Sequence, residues 1–264
     1  MNLQFSPLTL VGIDAALQAG ELLRRGFGTH FSISQKSFGS QNLVTEYDKA
    51  SEKQIIHYIR HHAPSSRFLG EEGGEVGDPN AQTLWIIDPL DGTVNFAHGV
   101  PNFGVSIGAI HKDRLFCGVI YLPMTRELFV AERKKGSYCN GKKLTVSEVQ
   151  ELSSSFLVTG SPYNMNENPL DFMERTNRVM KKGVQMRALG SAAMDLCYTA
   201  AGRTDGFFEI ILAPWDVAAG VLILEEAGGK VTHWDKRVFD LFSNESILAT
   251  NGLIHDELSH TLCI

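Results

Sequence analysis

The chain has 264 residues, of which 43% are hydrophobic and 20% are charged, and its net charge is −6. These values are typical of a globular protein that buries a sizeable core, as one large domain or as two packed halves. No apolar stretch approaches the ~20 residues of a membrane-spanning helix, and the opening segment MNLQFSPLTL does not resemble a secretory signal. A negative charge without a long basic run argues against a nucleic-acid-binding surface.

The four cysteines have no CxxC spacing and no paired framework. We therefore expect reduced thiols and a cytosolic protein. In that compartment the glycosylation-type sequence at Asn244 has no meaning.

The first predicted element is a helix that Ser6 caps and Pro7 begins, and that ends near Gly26. Its predicted apolar stripe consists of Leu10, Ile13, Leu17 and Leu23. Residues 26–42 are rich in Gly, Ser and Gln, which is typical of a mobile loop or a hairpin.

Thr45 and Asp48 form a capping-box pattern that predicts a second helix, which ends before Pro64. The elements predicted after it, in chain order, are strands at 68–70, at 85–88, at 103–110, at 115–121, at 127–131 and near 156–160, a helix at 169–181, a helix from about Gly190, a strand at 206–210, a helix that Asp216 opens, and strands near 230 and 247. Strands that alternate with helices indicate a layered α/β architecture.

Acidic residues follow several of these strands. Glu71 comes directly after one strand, and Asp88 and Asp91 flank a proline at the end of the buried run WII. Two carboxylates in one tight turn repel each other unless a cation lies between them. Because no His or Cys accompanies these acids, their oxygens favour Mg²⁺ over zinc.

Each acid could also have a purely structural role. Glu71 and its neighbour could form a solvated surface pair, and Asp88 and Asp91 a type I turn. Asp216 could cap its helix, and Asp48 could serve only the capping box. An EF-hand is excluded, because the twelfth residue from Asp88 is a glycine. The chain also lacks the GxSxG, GxxxxGK[ST], GxGxxG and HExxH motifs.

Together, the motifs GEE, WIIDPLDGTVNF and PWDVAAG resemble the inositol monophosphatase family, within the lithium-sensitive, Mg²⁺-dependent sugar phosphatases. The segments NLVTEYD, GVSIG, RALGSAAMDLCYTAAGRTDGFFE and FDLFSNESILATNG fit the same family. The resemblance implies a layered α-β-α-β-α sandwich of the inositol monophosphatase and fructose-1,6-bisphosphatase type, and a homodimer. It suggests an N-terminal half (1–145) with most metal ligands and a C-terminal half (146–264) with Asp216 and substrate contacts, packed as one unit.

The resemblance also assigns metal ligands. Glu71, Asp88 and the Leu90 carbonyl would hold one Mg²⁺, and Asp88, Asp91 and Asp216 a second. Two metals ~3.5–4 Å apart can clamp a phosphate monoester and activate water. The catalytic roles then fall to Glu71, to Thr93, which positions the water, and to Asp48, which orients the Thr93 hydroxyl.

Substrate contacts follow from the same resemblance. The N–H groups of Gly92 and Thr93 would hold phosphate oxygens, and Ala192, Glu209 and Asp216 would meet the polyol. Lys36 would close over the site. Asn42 stands where the animal enzymes often have an aspartate, which puts a third Mg²⁺ in doubt.

The predicted function is hydrolysis of myo-inositol 1-phosphate or a similar polyol phosphate, because Glu209 matches the acid with which the inositol enzymes recognise hydroxyls. The alternatives within the superfamily are fructose-1,6-bisphosphatase, histidinol-phosphate phosphatase and 3′-phosphonucleotide phosphatase. The alternative of another class is a regulatory protein that binds the bacterial transcription machinery. No membrane or direct nucleic-acid partner is expected.

Overall fold

The computed structural model describes residues 4–35, 43–160, 169–243 and 245–263. Lys36, Asn42 and Asn244, which are named in the sequence analysis above, lie outside the described residues. The helices are α1 (Pro7–Gly26), α2 (Glu46–His62), α3 (Thr93–Ala97), α4 (Pro169–Met180), α5 (Ala192–Ala200), α6 (Pro214–Glu226) and α7 (His255–Cys263). The strands are β1 (Ile33–Gln35), β2 (Leu43–Thr45), β3 (Ser66–Gly70), β4 (Gly74–Gly77), β5 (Thr83–Asp91), β6 (Gly104–His111), β7 (Arg114–Leu122), β8 (Glu127–Glu132), β9 (Gly136–Cys139), β10 (Lys142–Lys143), β11 (Phe156–Thr159), β12 (Gln185–Arg187), β13 (Gly206–Ile210), β14 (Lys230–Thr232) and β15 (Ser246–Thr250).

Two large sheets organise the described chain. One has eight strands in the order β10-β9-β8-β7-β6-β5-β3-β4 and is antiparallel except for the β3–β5 pair. The other has five strands in the order β12-β11-β13-β15-β14, with β11 parallel to both of its neighbours. The short strands β1 and β2 pair antiparallel with each other. The segment between them, 36–42, lies outside the described residues, so the loop or hairpin expected over 26–42 stays a prediction.

Helices cover these sheets in alternating layers. Helices α1 and α2 pack on one face of the eight-stranded sheet, and α6 packs on its other face. Helix α5 lies beside α6 in the layer between the two sheets and contacts both of them, while α7 contacts α4 and the outer face of the five-stranded sheet. This order confirms the predicted layered α-β-α-β-α sandwich. The proposed division at residues 145/146 falls between the last strand of the first sheet and the first strand of the second.

Helix α1 begins and ends where the sequence predicts, with the Ser6 hydroxyl accepting from the Thr9 N–H. Its predicted apolar stripe is only half correct: Leu23 is fully buried and Ile13 packs against the core, but Leu10 and Leu17 are 49% and 36% exposed. The buried face carries mainly small residues, including Gly12, Ala15, Ala16, Ala19 and Gly20. They let the helix lie close to the sheet: an added Cβ on Gly20 would reach within 2.2 Å of the Tyr121 ring.

Helix α6 also lies unusually close to the eight-stranded sheet. An added Cβ on Gly108 would lie 2.8 Å from the Ala218 methyl group, and one on Gly118 would lie 2.5 Å from the Ala219 carbonyl oxygen. Both separations are shorter than van der Waals contact allows. Two glycines in the middle of β6 and β7 therefore set how near α6 comes to the sheet.

Two predicted elements need correction. The segment after Glu72, predicted as a loop, contains β4, which pairs antiparallel with β3. Helix α6 begins at Pro214, so Asp216 is its third residue and not its cap. Proline has no N–H to leave unpaired and is favoured at the first helical position, which moves the start two residues earlier. Among the described residues, no helix is long and apolar enough to cross a membrane.

A buried histidine joins three elements of the second sheet layer. His255 is fully buried at the start of α7; its Nε2 pairs with the Thr232 hydroxyl and its Nδ1 with the Thr250 hydroxyl, both at 2.9 Å. A neutral imidazole serves both contacts with one donor and one acceptor. Burial, reinforced by Lys230, lowers the pKa of His255 to about 4.

This shift predicts acid destabilisation. Because the folded-state pKa lies below the unfolded value, the stabilisation is complete above pH 6.5 and is lost as the pH falls toward 4. We expect His255 to account for ~2 kcal/mol of lost unfolding free energy between pH 7.5 and 5. Denaturant titrations of wild type and His255→Gln at both pH values measure the difference. Parallel pH dependences in the two proteins would contradict the assignment.

Candidate active site

The site is built around the turn Asp88-Pro89-Leu90-Asp91 at the end of β5. Every residue of this strand is buried, and its pairing with β6 is irregular between Asp88 and Asp91, where β5 carries one residue more than its partner. Pro89 cannot donate to the ladder, so it fits such a bulge. The Leu90 N–H donates to Asp88 Oδ1 at 2.9 Å. Both aspartates are therefore parts of an ordered bulge and not of an exposed turn.

Asp91 connects this bulge to the other half of the chain. Its Oδ2 accepts from the Ser191 hydroxyl at 2.5 Å and from the Ala193 N–H at 2.7 Å. These donors belong to the first turn of α5, where a carboxylate is favoured by the helix dipole. Ala192, predicted to lie near the substrate, therefore begins the helix that holds Asp91.

Asp48 and Thr93 are in contact, as predicted. Asp48 Oδ1 accepts from the Thr93 hydroxyl at 2.9 Å, while its Oδ2 accepts from the N–H and hydroxyl of Thr45 at 2.7 and 2.6 Å. One Asp48 oxygen thus caps α2, and the other accepts from the Thr93 hydroxyl, so Asp48 does not serve the capping box alone. The Thr93 oxygen also lies 3.0 Å from the Leu90 carbonyl oxygen, so its single proton has two possible acceptors.

Gly92 precedes Thr93 and caps α3 in a left-handed conformation, with φ 90° and ψ 37°. An added Cβ there would lie 2.8 Å from the Asn102 carbonyl oxygen and 3.2 Å from that of Gly190. Both the backbone angles and the space therefore require glycine. This close approach places the first turn of α3 beside the loop that leads into α5.

Glu71 and Asp216 reach the site from different sheet layers, and both are partly exposed. The Glu71 N–H donates to the Ile87 carbonyl at 3.2 Å, which extends the β3–β5 pairing up to this residue. Asp216 Oδ2 accepts from the Ala213 N–H at 2.7 Å at the start of α6. Each backbone is thus fixed by a hydrogen bond at the end of a strand or the start of a helix.

The acids influence one another strongly. Burial first, and then the charges of Glu71, Asp91 and Asp216, raise the pKa of Asp88 well above its ordinary value. Burial also raises the pKa of Asp91 to about 6, against the opposing effect of the Ser191 hydroxyl. Among the described residues, the major contributions to these two shifts include no cation. Four of the predicted metal ligands, Glu71, Asp88, Asp91 and Asp216, are therefore close enough for their negative charges to repel one another; we call this set the shared negative field.

Glu209 lies next to this field. Its pKa is raised well above the ordinary value by burial and by the charges of Asp216 and Asp91. It lies on β13, the central strand of the five-stranded sheet, and is only 7% exposed. Glu209 is therefore a buried residue of a central strand and not a surface residue on an edge strand. Gly160 leaves room for its carboxylate, since an added Cβ there would lie 2.2 Å from Glu209 Oε1.

Several polar residues of this region are not identified by the sequence motifs. Asp195 is 1% exposed, its Oδ1 has no hydrogen-bond partner, and its pKa is raised by burial and by Glu209 and Asp91. The available signal was a single acid within the apolar helical segment AAMDLC. Ser51, Glu52 and Ser191 were also missed, and no local pattern distinguishes them from ordinary helix residues.

Comparison with known proteins gives one consistent result. The model of the inositol monophosphatase family matches residues 4–263. The Nus factor SuhB of Escherichia coli K12 is 40% identical over 226 residues, which cover 86% of this chain and 85% of that protein.

Two solved structures are similar over nearly the whole chain. The extragenic suppressor protein SuhB from Bartonella henselae has a TM-score of 0.92 and 38% identity, covering 98% of this chain and 99% of that one. The inositol monophosphatase from Anabaena (Nostoc) has a TM-score of 0.84 and 41% identity, covering 96% and 94%. With the fold and the family model in agreement, the chain belongs to the inositol monophosphatase family.

Proposed function

We propose that this protein is a Mg²⁺-dependent phosphomonoesterase that hydrolyses myo-inositol 1-phosphate or a similar polyol phosphate. The observation that carries the proposal is the shared field of Glu71, Asp88, Asp91 and Asp216, in which burial and mutual repulsion raise the pKa of Asp88. Buried carboxylates that repel one another are costly unless a cation compensates them. Family membership supports the phosphatase activity, and Glu209 supports the choice of a polyol.

The donor set fits magnesium. Carboxylates and a backbone carbonyl are the hard oxygen ligands that Mg²⁺ prefers. Within the described ranges, however, no three His, Cys, Asp or Glu side chains stand in a ready-made metal-binding arrangement. Metal binding would bring these side chains closer together, and, because the pKa values of Asp88 and Asp91 are raised, it would also displace protons at low pH. Glu71, Asp88 and the Leu90 carbonyl would hold one ion, and Asp88, Asp91 and Asp216 a second; when bound, the ions would neutralise phosphoryl oxygens and lower the pKa of water.

The protein groups around this set have separate tasks. With Asp48 ionised, the Thr93 hydroxyl donates to Oδ1, and its lone pairs can accept a hydrogen bond from a water molecule. Burial raises the pKa of Asp48 to about 6, so the accepting form predominates above that pH. The N–H groups at the start of α3 have no intrahelical acceptors and are suited to phosphate oxygens. Glu209 would accept hydrogen bonds from polyol hydroxyls.

Magnesium should stabilise the protein in a pH-dependent manner. Because the folded-state pKa values of Asp88 and Asp91 are raised, the metal-free protein loses stability as the pH rises through them, and metal must displace protons at low pH. At a fixed Mg²⁺ concentration of ~100 times the Kd at pH 8, we expect the melting temperature to rise by roughly 5–10 °C at pH 8. At pH 5 the same concentration should raise it much less, because protons compete for the carboxylates. Thermal melts across a magnesium series measure this. Curves unmoved by tens of millimolar Mg²⁺ at pH 8 would exclude the metal site.

Glu209 should determine substrate preference. Losing charge-assisted hydrogen bonds to two hydroxyls costs roughly 1.5–3 kcal/mol, so we expect Glu209→Ala to lower kcat/KM for inositol 1-phosphate by about 10- to 100-fold. p-Nitrophenyl phosphate has no such hydroxyls and should be hydrolysed almost as before.

Phosphate release from a panel that includes fructose 1,6-bisphosphate, histidinol phosphate and a 3′-phosphonucleotide tests the alternative substrates. Equal losses on all substrates would assign Glu209 to the fold or the metals instead.

The relative named Nus factor SuhB supports a second candidate, a regulatory protein contact in bacterial transcription. The two roles can be separated by expressing a variant without turnover in a cell that lacks the protein. The variant should fail to restore a phosphatase-dependent phenotype. It should still restore a transcription-dependent phenotype if the protein also has the regulatory role. The resemblance further supports a cytoplasmic, lithium-sensitive homodimer.

A further inference from the structure

Helix α2 presents three polar side chains to the interior within two turns. Ser51 and Glu52 lie three and four residues after Asp48, so both are on the face of the helix that carries Asp48. They are 0%, 0% and 5% exposed. Below them Ile55 and Ile59, both fully buried, anchor the same face in the apolar core. The helix is therefore a fixed support for whatever these polar groups contact.

Each polar group contacts a different segment of the candidate active site. Asp48 holds the Thr93 hydroxyl at the start of α3. The Ser51 hydroxyl donates to the Pro89 carbonyl at 2.8 Å, within the bulge between Asp88 and Asp91. Glu52 Oε2 accepts from the Glu72 N–H at 3.0 Å, in the turn that carries Glu71. Three segments that are separate in the chain are thus attached to one helix.

The turn around Glu71 and Glu72 also leaves space for the Glu52 side chain. An added Cβ on Gly70 would lie 2.2 Å from Glu52 Oε2, and one on Gly73 would lie 2.8 Å from Glu52 Oε1. Glycines on both sides of the Glu71-Glu72 pair therefore leave room for this carboxylate. A buried carboxylate is costly without partners, so its position against a backbone N–H indicates a specific role.

We propose that Ser51 and Glu52 are positioning residues that hold the Asp88–Asp91 bulge and the Glu71 turn at the separation required for a shared cation. Ser51 fixes the bulge through the Pro89 carbonyl, and Glu52 fixes the turn through the Glu72 amide. Neither residue is one of the proposed metal ligands. The inference rests on the proposed function, because it concerns the ligands of the proposed magnesium site.

The test is magnesium affinity measured by calorimetry on the full chain, for wild type, Ser51→Ala, Glu52→Gln and Glu52→Ala. Loss of groups that orient metal ligands typically weakens binding by about 10- to 100-fold. We expect that loss for Glu52→Ala and a smaller one for Glu52→Gln, whose amide oxygen can still accept from the Glu72 N–H. The matched control is Glu75→Gln on the neighbouring strand β4, where an exposed carboxylate pairs with Arg67; it should bind as wild type does.

Activity provides a second measurement. For a positioning role, turnover lost in Ser51→Ala and Glu52→Gln should return at high Mg²⁺, with the substrate KM unchanged. Folded variants that bind Mg²⁺ as tightly as wild type, whatever their melting temperature, would overturn the inference and leave the proposed function intact. Absence of Mg²⁺ binding to wild type would overturn both.

Discussion

Asp91→Asn should nearly abolish turnover while the fold survives. Asparagine keeps an oxygen that can accept from the Ser191 hydroxyl and the Ala193 N–H, so the link to α5 persists. It removes the negative charge from a ligand of the proposed second magnesium. Metal stabilisation of transition-state charge is worth several kcal/mol, and each ~1.4 kcal/mol is tenfold in rate. We therefore expect kcat to fall by at least about 100-fold.

Steady-state kinetics at saturating Mg²⁺, with circular dichroism as the test of folding, measure this effect. Asp113→Asn is a suitable control, because Asp113 is exposed in a turn with φ 61°, a conformation that asparagine tolerates. If Asp91 serves only the turn, its variant will instead lose stability and keep its activity per folded molecule. Retention of more than a tenth of the wild-type kcat would refute the two-metal assignment.

Thr93→Val should produce the second large effect. Valine has nearly the shape of threonine but cannot donate to Asp48 or accept from water. General-base positioning of a nucleophile contributes roughly 10²- to 10⁴-fold, and we expect a loss of kcat in that range. Thr93→Ser keeps the hydroxyl and should stay within about tenfold of wild type.

The role of Asp48 is separable through a double mutant. Asp48→Asn should lose activity as well, and Thr93→Val combined with Asp48→Asn should be no worse than the more impaired single variant, because the two groups act as one unit. Additive losses would show that Asp48 acts independently of the Thr93 hydroxyl. Magnesium affinity of Thr93→Val serves as the control, since Thr93 is not a proposed ligand.

Local signals account for much of the fold that could be predicted. The capping box of Thr45 and Asp48 and the Ser6-Pro7 start are local patterns, and both helices begin where these patterns indicate. The short strands β4, β9, β10 and β12 were not predicted, because two to four residues cannot display a periodicity. Leu10 was predicted to be buried and is exposed, because the close packing of α1 on the sheet favours glycine and alanine over larger apolar side chains.

For the site, motif resemblance named the acids, and the structure places them in one electrostatic field. What could not be predicted is what holds them. The contacts Glu52–Glu72, Ser51–Pro89 and Ser191–Asp91 span 20, 38 and 100 residues. No local pattern encodes such distances, because they arise only when α2 and α5 pack against the first sheet.

The glycines beneath α6 have a consequence for how the site can change. Asp216 stands at the start of this helix, and its distance from Asp88 depends on how deeply the helix settles on β6 and β7. Gly108 and Gly118 allow the helix to come this close because they have no side chains, and Ala218 and Ala219 of the helix lie directly against them. A single methyl group added there would lift the helix and carry Asp216 away from the first sheet. Substitutions at Gly108 or Gly118 would therefore change the spacing of the proposed metal ligands, although neither residue is itself one of them.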